Sequence, residues 1–232
     1  CPSCGAQLIA DKNTAATSCP YCGNPTIVPS QFSGALKPDY VIPFKMNKDE
    51  AIKKLTDFYG GKPLLPDAFK ERNHIEDIKG VYVPFWLYDG TADVDMAFRG
   101  TISHSHREGD YTVTVTENYS ILRQGTVQFN RVPADGSSKM PDEFMDAIEP
   151  YNYNEMIPFE MGYMTGYLAD RYDVTAEQDR NRVNTRMRTS SADKIRETVR
   201  GYHTLFPRRS NIYIREDKVH YAFLPVWMLT TK

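Results

Sequence analysis

All four cysteines of this 232-residue chain fall within its first 22 residues, as Cys1-Pro-Ser-Cys4-Gly5 and Cys19-Pro-Tyr-Cys22-Gly23. The spacing is C-x2-C, fourteen residues, then C-x2-C. Each pair lets two thiolates approach one ion from a tight turn. The glycine after the second cysteine permits the backbone conformation that aims amide N–H groups at sulfur. Two such turns facing each other make a tetrahedral Cys4 site for one Zn2+ held by Cys1, Cys4, Cys19 and Cys22. Four thiolates leave no open coordination position, so this ion is structural, and no thiol remains as a nucleophile. Two disulfides of a small secreted scaffold are the alternative, but residues 23–232 contain no cysteine to complete such a framework. Iron in a rubredoxin-like site satisfies the same softness and geometry.

Three other groupings have chemistry within reach. His104 and His106 flank a serine at a strand end, and an H-x-H on a strand projects both imidazoles from one face. No third ligand accompanies them. Asp93 and Asp95 share a face and would serve as acid and base or as a cation site; the expectation adopted is a solvated polar face with Arg99 as partner. Asp135-Gly-Ser-Ser-Lys139 precedes a proline-started helix whose N-terminus can hold an anion, although a plain turn and helix cap suffices. Enzyme motifs fail: Gly60-Gly-Lys-Pro63 lacks the spacing and hydroxyl of a phosphate-binding loop, and neither H-E-x-x-H nor G-x-S-x-G occurs. The chain is therefore expected not to be an enzyme.

Around these residues the sequence prescribes elements. Gln7–Ala10 and Ala15–Ser18 read as short strand-like pieces around Asp11-Lys12-Asn13, and residues 23–34 as a linker or docking arm. Tyr40–Phe44 is a short strand, and Asn47 with Glu50 forms a capping box for a helix striped by Ala51, Ile52, Leu55, Phe58 and Tyr59, ending at Gly60-Gly61. Lys62–Ile78 reads as a loop with one or two helical turns. Val81–Tyr88 is apolar throughout, a strand buried on both faces with Pro84 at a bulge or edge. Alternation then runs through Ala92, Val94, Met96, Phe98 and Ile102, turns at Glu108-Gly109, and returns through Tyr111–Ile121. A third strand is expected over Thr126–Val132, giving an antiparallel meander with one wet face. Pro141–Ile148 is a short acidic helix. Val183, Met187, Ile195, Val199, Tyr202 and Phe206 form a later helical stripe broken at Ser191, where Ser190–Asp193 would also serve to end one helix and cap the next. A final hairpin is expected to turn at Glu216-Asp217.

Composition fits a globular body: 41% hydrophobic, 25% charged, net charge −2, with a mean hydropathy of −0.54. No run approaches 18 apolar residues, so none of this sequence spans a bilayer as a helix. A cysteine ligand at position 1 makes the chain read as a fragment. Charge is uneven: Asp135–Asp173 carries nine acids against two bases, and Glu177–Arg209 nine bases against four acids. These segments would neutralise one another, or the arginine-rich stretch 180–209 would meet phosphate on nucleic acid or lipid. Ile42-Pro-Phe44 recurs as Ile157-Pro-Phe159, and Val83-Pro-Phe-Trp86 as Leu224-Pro-Val-Trp227. This echo admits two related halves, 37–135 and 150–232.

The fold class expected is α+β: a zinc ribbon and linker over 1–34, then an α+β domain with an antiparallel sheet over 35–232. The phrases Cys1-Pro-Ser-Cys-Gly5, Asn13-Thr-Ala-Ala-Thr17, Cys19-Pro-Tyr-Cys-Gly-Asn-Pro25, Leu36-Lys-Pro-Asp-Tyr-Val-Ile-Pro-Phe44, Gly80-Val-Tyr-Val-Pro-Phe-Trp86 and Leu224-Pro-Val-Trp-Met-Leu229 resemble bacterial TFIIB-type zinc-ribbon proteins of unknown function. Such proteins are often labelled as similar to primosomal protein N′ (replication factor Y) helicase. The resemblance implies the Cys4 zinc site at Cys1, Cys4, Cys19 and Cys22, a cytoplasmic body and, in longer relatives, a following membrane segment. The helicase label does not carry over, because the chain has no Walker A loop. The function expected is a non-enzymatic interaction module, a protein–protein adaptor at the cytoplasmic face of a membrane. The alternative is a nucleic-acid-binding module using 180–209.

Overall fold

A computed structural model describes residues 1–8, 11–60, 62 and 78–229. Its elements, in chain order, begin with β1 (Thr14–Ser18), β2 (Pro25–Ile27), β3 (Tyr40–Val41) and α1 (Lys48–Gly60). Two long strands follow, β4 (Lys79–Glu108) and β5 (Tyr111–Asp135), then α2 (Asp142–Ala147), β6 (Ile157–Pro158) and β7 (Leu168–Asp170). The helix α3 (Ala176–Glu197) and the strand β8 (Thr204–Met228) complete the described chain. One sheet joins the strands in the order β2-β1-β7-β4-β8-β3-β6, with β5 also on β4.

The sheet is mixed, which corrects the expectation of an antiparallel one. Tyr40 and Val41 run parallel to Ala222 and Phe223, and Val81 and Tyr82 parallel to Leu168 and Ala169. Parallel pairs require long crossovers, and alternation within one strand does not reveal which distant strand it meets. The residues just before the first echoed segment, Tyr40 and Val41, oppose Pro158 and Ile157 of its counterpart, and β4 lies beside β8.

The chain forms two units. Unit one comprises Cys1–Leu87, Pro133–Asp179 and His220–Lys232. Within it β4 and β8 are apolar on both faces, as expected for Val81–Tyr88. Tyr82 and Phe223 enter a cluster with Phe32, Val41 and Met164; Val83, Phe85, Leu87 and Leu224 enter another with Ile42 and Met145. Trp86 donates its indole N–H to the Val174 carbonyl at 2.9 Å. Residues 23–34, expected as a linker, carry β2 and a 3-10 turn over Pro29–Phe32, with Phe32 buried. The capping box is present: Asn47 Oδ1 accepts from Glu50 N at 2.9 Å, and Glu50 Oε2 from Asn47 N at 3.1 Å. Of the α1 stripe only Ala51 is buried, whereas Phe58 is 60% exposed. The expected loop residues 63–77 and the strand-like residues 9–10 lie outside the described residues.

Unit two comprises Tyr88–Val132 and Arg180–Val219. Ala92, Val94, Met96, Phe98 and Ile121 of the sheet pack with Ile195 and Val199, leaving the polar alternates of the same strands on the other face. Three local expectations are corrected here. Thr126–Val132 continues β5 without a turn. Glu216-Asp217 lies inside an unbroken β8, where Glu216 accepts from Asn184 at 2.9 Å and pairs with Arg180 at 2.9 Å, partners that outweigh the local turn preference of Asp217. Finally α3 runs through Ser190–Asp193 unbroken. The buried Ser191 satisfies its hydroxyl on the Met187 carbonyl at 2.7 Å, so a polar residue sits in the apolar stripe without ending the helix. Tyr202 and Phe206 lie beyond the helix end, and Phe206 is 57% exposed.

Candidate metal centre

The two cysteine turns are built alike. Gly5 N donates to Cys1 O at 3.0 Å and Gly23 N to Cys19 O at 2.8 Å. Gly5 and Gly23 sit at φ 72° and 71°, where an added Cβ would meet nothing within 4 Å. The requirement for glycine is therefore conformational, not steric. The second turn follows β1 directly. β1 is held between β2, through Ala16–Ile27 and Ser18–Pro25 pairing, and β7, through Ala16–Ala169 pairing. A rigid strand pair thus presents Cys19. The first turn is tied to the second by Asn24 Nδ2 donating to Ser3 Oγ at 2.6 Å.

These turns bring Cys1, Cys4, Cys19 and Cys22 together with all four Sγ atoms within 4.8 Å of one another. Cys1 Sγ lies 3.7 Å from Cys22 Sγ, and Cys4 Sγ 3.7 Å from Cys19 Sγ. Four thiolates about 2.3 Å from a central zinc would be separated by edges of about 3.8 Å. Both distances match that edge and far exceed the S–S length of about 2.05 Å of a disulfide; the four cysteines are free. The residues fit a tetrahedral zinc ion, which would be held by these four sulfurs and would supply cross-linking of the two turns.

The electrostatics point the same way. Burial alone would raise the Cys19 thiol. The N–H groups of Cys22 and Tyr21, with the thiols of Cys22 and Cys4, outweigh it and bring Cys19 down from 9.0 to about 7. At Cys22 the Asn24 amide acts to lower the thiol, but the neighbouring Cys4 and Cys19 and burial push it up. Ionisation is thus favoured at Cys19 and opposed at Cys22, an opposition that a bound cation would relieve. Thr26, not singled out by the sequence, places its hydroxyl 3.9 Å from Cys1 Sγ; its position two residues past Asn24 on a paired strand was the available signal.

The other candidates do not converge. His106 Nε2 shares a 3.0 Å hydrogen bond with Glu108. The His104 ring lies 6.4 Å from that of His203, a histidine the sequence did not single out. His203 Nδ1 accepts from Ser103 N at 3.0 Å, which leaves the neutral ring's proton on Nε2. Among the described residues the one group of three or more His, Cys, Asp or Glu placed to hold a metal is the Cys4 set. Asp93 and Asp95 are paired across to β8: Arg215 reaches Asp93 at 3.1 Å, and one Arg209 nitrogen reaches both Asp95 oxygens at 2.9 and 3.0 Å. Arg99, the expected partner, instead donates to Asn118 Oδ1. Asp93 and Asp95 also line an open cavity of about 750 Å³ with Thr126 and Tyr213. The Asp135–Lys139 turn takes an anion from its own chain. Ser138 donates through N and Oγ to Asp173 at 2.8 and 2.7 Å, and Lys139 bridges Asp170 at 2.8 Å and Asp11 at 3.3 Å. Within 180–209, Arg180 pairs with Glu216, Lys194 with Glu197 and Arg209 with Asp95. No helix of the described residues is long and apolar enough to cross a membrane.

No family model and no solved structure matches this chain. The uncharacterized protein YdjG of Bacillus subtilis strain 168 is 35% identical to it over 279 aligned positions, covering 99% of this chain and 82% of that protein.

Proposed function

We propose that this chain, which belongs to the family of Bacillus subtilis YdjG, is a non-enzymatic module built around one structural zinc ion. Its work is to bind another protein. The observation that carries the reading is the closed set of four sulfurs, with cross-turn edges of 3.7 Å. Such a set uses every cysteine of the chain and offers substrate no coordination position. The resemblance to TFIIB-type ribbons accords with this centre. Four unpaired thiols suit a reducing compartment, and we place the module in the cytoplasm. Pairing of Asp93 and Asp95 with arginines supports a structural role for that face.

Cobalt substitution tests the closed centre. The Co2+ form should show an intense tetrahedral thiolate spectrum that stays unchanged on adding azide or imidazole. Band shifts on adding either ligand would reveal an open position and contradict a purely structural ion.

A further inference from the structure

In unit two β4 is central, with β8 on one side and β5 on the other, and β5 pairs with no strand but β4 among the described residues. Three cross-strand bonds fix their register: Thr126 Oγ1 to Asp93 Oδ1 at 3.0 Å, Ser103 to Thr116 hydroxyls at 2.9 Å, and Ser105 to Thr114 hydroxyls at 2.8 Å. The two numbers of each pair have the same sum, so no bulge breaks the β5 edge from Thr114 to Thr126. β8 begins at Thr204, whose hydroxyl bonds that of Thr101. Ser103 N still reaches His203 Nδ1; past it, β4 and the start of β5 continue as a two-stranded arm, with Tyr111 78% and Val115 49% exposed. A two-stranded ribbon with no third strand is marginal in water.

Native edges of this kind are usually blunted by lysine, proline or a bulge. From Tyr111 to Leu122 there is neither lysine nor proline, and Glu117 is the single charge. The edge is also a palindrome, Thr112-Val113-Thr114-Val115-Thr116.

We propose that this chain associates with a second copy of itself by antiparallel pairing of the two β5 edges about Thr114. In that register Val113 faces Val115 of the second copy, and Thr112 faces Thr116, pairs that stabilise antiparallel sheets. Tyr111 faces Glu117, whose carboxylate accepts from Tyr119 at 2.7 Å and retains lone pairs for a second phenol. No like charges oppose. A two-fold interface must be self-complementary, and an edge that reads alike in both directions meets that demand, whereas a foreign strand would not require it. The proposal does not rest on the metal reading, since mass and zinc content are separate readouts.

Sedimentation equilibrium of the zinc-loaded chain should show a concentration-dependent rise from 26.6 kDa toward twice that mass. The double variant Val113→Lys/Val115→Lys should remain monomeric at the same concentrations, with unchanged circular dichroism and zinc content. Thr114→Cys, on the two-fold axis, should cross-link on mild oxidation because paired Cα atoms lie about 4.5–5.5 Å apart. Thr112→Cys, four residues from its own symmetry mate, should not. A wild type monomeric at every concentration, a dimer untouched by the lysine pair, or cross-linking at 112 but not 114 would each overturn the proposal.

Discussion

Ala16 and Ala169 stand opposite each other across β1 and β7, both buried at 3% and 2% exposure. Between them they join the strand that delivers Cys19 to the sheet of unit one. The cysteine cluster is thus linked to β7 through the main-chain pairing of β1.

That coupling sets the first prediction. Cys19→Ser should release the ion and lower amide protection in Thr14–Ser18, in Pro25–Ile27 and also in Leu168–Asp170, while Ala92–Phe98 keep theirs. Hydrogen exchange read by mass spectrometry checks it. Full protection at Leu168–Asp170 in the variant would show that β1 contributes nothing to β7.

Ser191 provides a second. Its hydroxyl bonds the Met187 carbonyl, which as a helical acceptor keeps its own backbone donor when the hydroxyl is removed. Ser191→Ala should change stability by less than about 1 kcal/mol, the lost bond offset by better helix propensity. Ser191→Asp should cost about 3 kcal/mol by burying an unpaired charge. Urea denaturation of both variants distinguishes a tolerated hydroxyl from a required one.

The cysteine cluster was legible because thiolate chemistry fixes both residue type and spacing, and the structure brings Cys1, Cys4, Cys19 and Cys22 together, although the pairing of β1 with the distant β7 that helps to hold Cys19 was not. The doubly buried Val81–Tyr88 strand was legible because its apolar run is short and rich in aromatic and β-branched residues. What failed depended on partners far along the chain. Glu216-Asp217 looked like a turn until Arg180 and Asn184 on α3 supplied partners for the carboxylate. Asp95 was matched to the local Arg99, whereas the sheet brings Arg209 to it from 114 positions away. Parallel pairing of β3 with β8 is likewise invisible to local periodicity.

The Asp95–Arg209 pair is partly open to solvent, with side chains 33% and 50% exposed. A double-mutant cycle with Asp95→Ala and Arg209→Ala should give a coupling of about 0–1 kcal/mol, smaller at high salt. A coupling several times larger would mark a desolvated, functional pair.

Asp173 gives a pH dependence. Its partial burial acts to raise the carboxyl, but the Ser138 hydroxyl and N–H and the Lys139 charge outweigh it and hold it below the ordinary 3.8. A folded-state value below the unfolded one means stability present above 3.8 and lost as pH falls through the lowered value. The stability difference between wild type and Asp173→Asn should therefore be constant from neutral pH down to about 4 and vanish in stronger acid. Thermal melts across that range test it; a difference that grows in acid would reverse the sign.

Zinc K-edge absorption on protein purified without added metal tests the metal centre most directly. One zinc per chain, surrounded by four sulfurs at about 2.3 Å, is the result expected. A chain free of metal with two disulfides, or a shell containing nitrogen or oxygen in place of any of the four sulfurs, would contradict it.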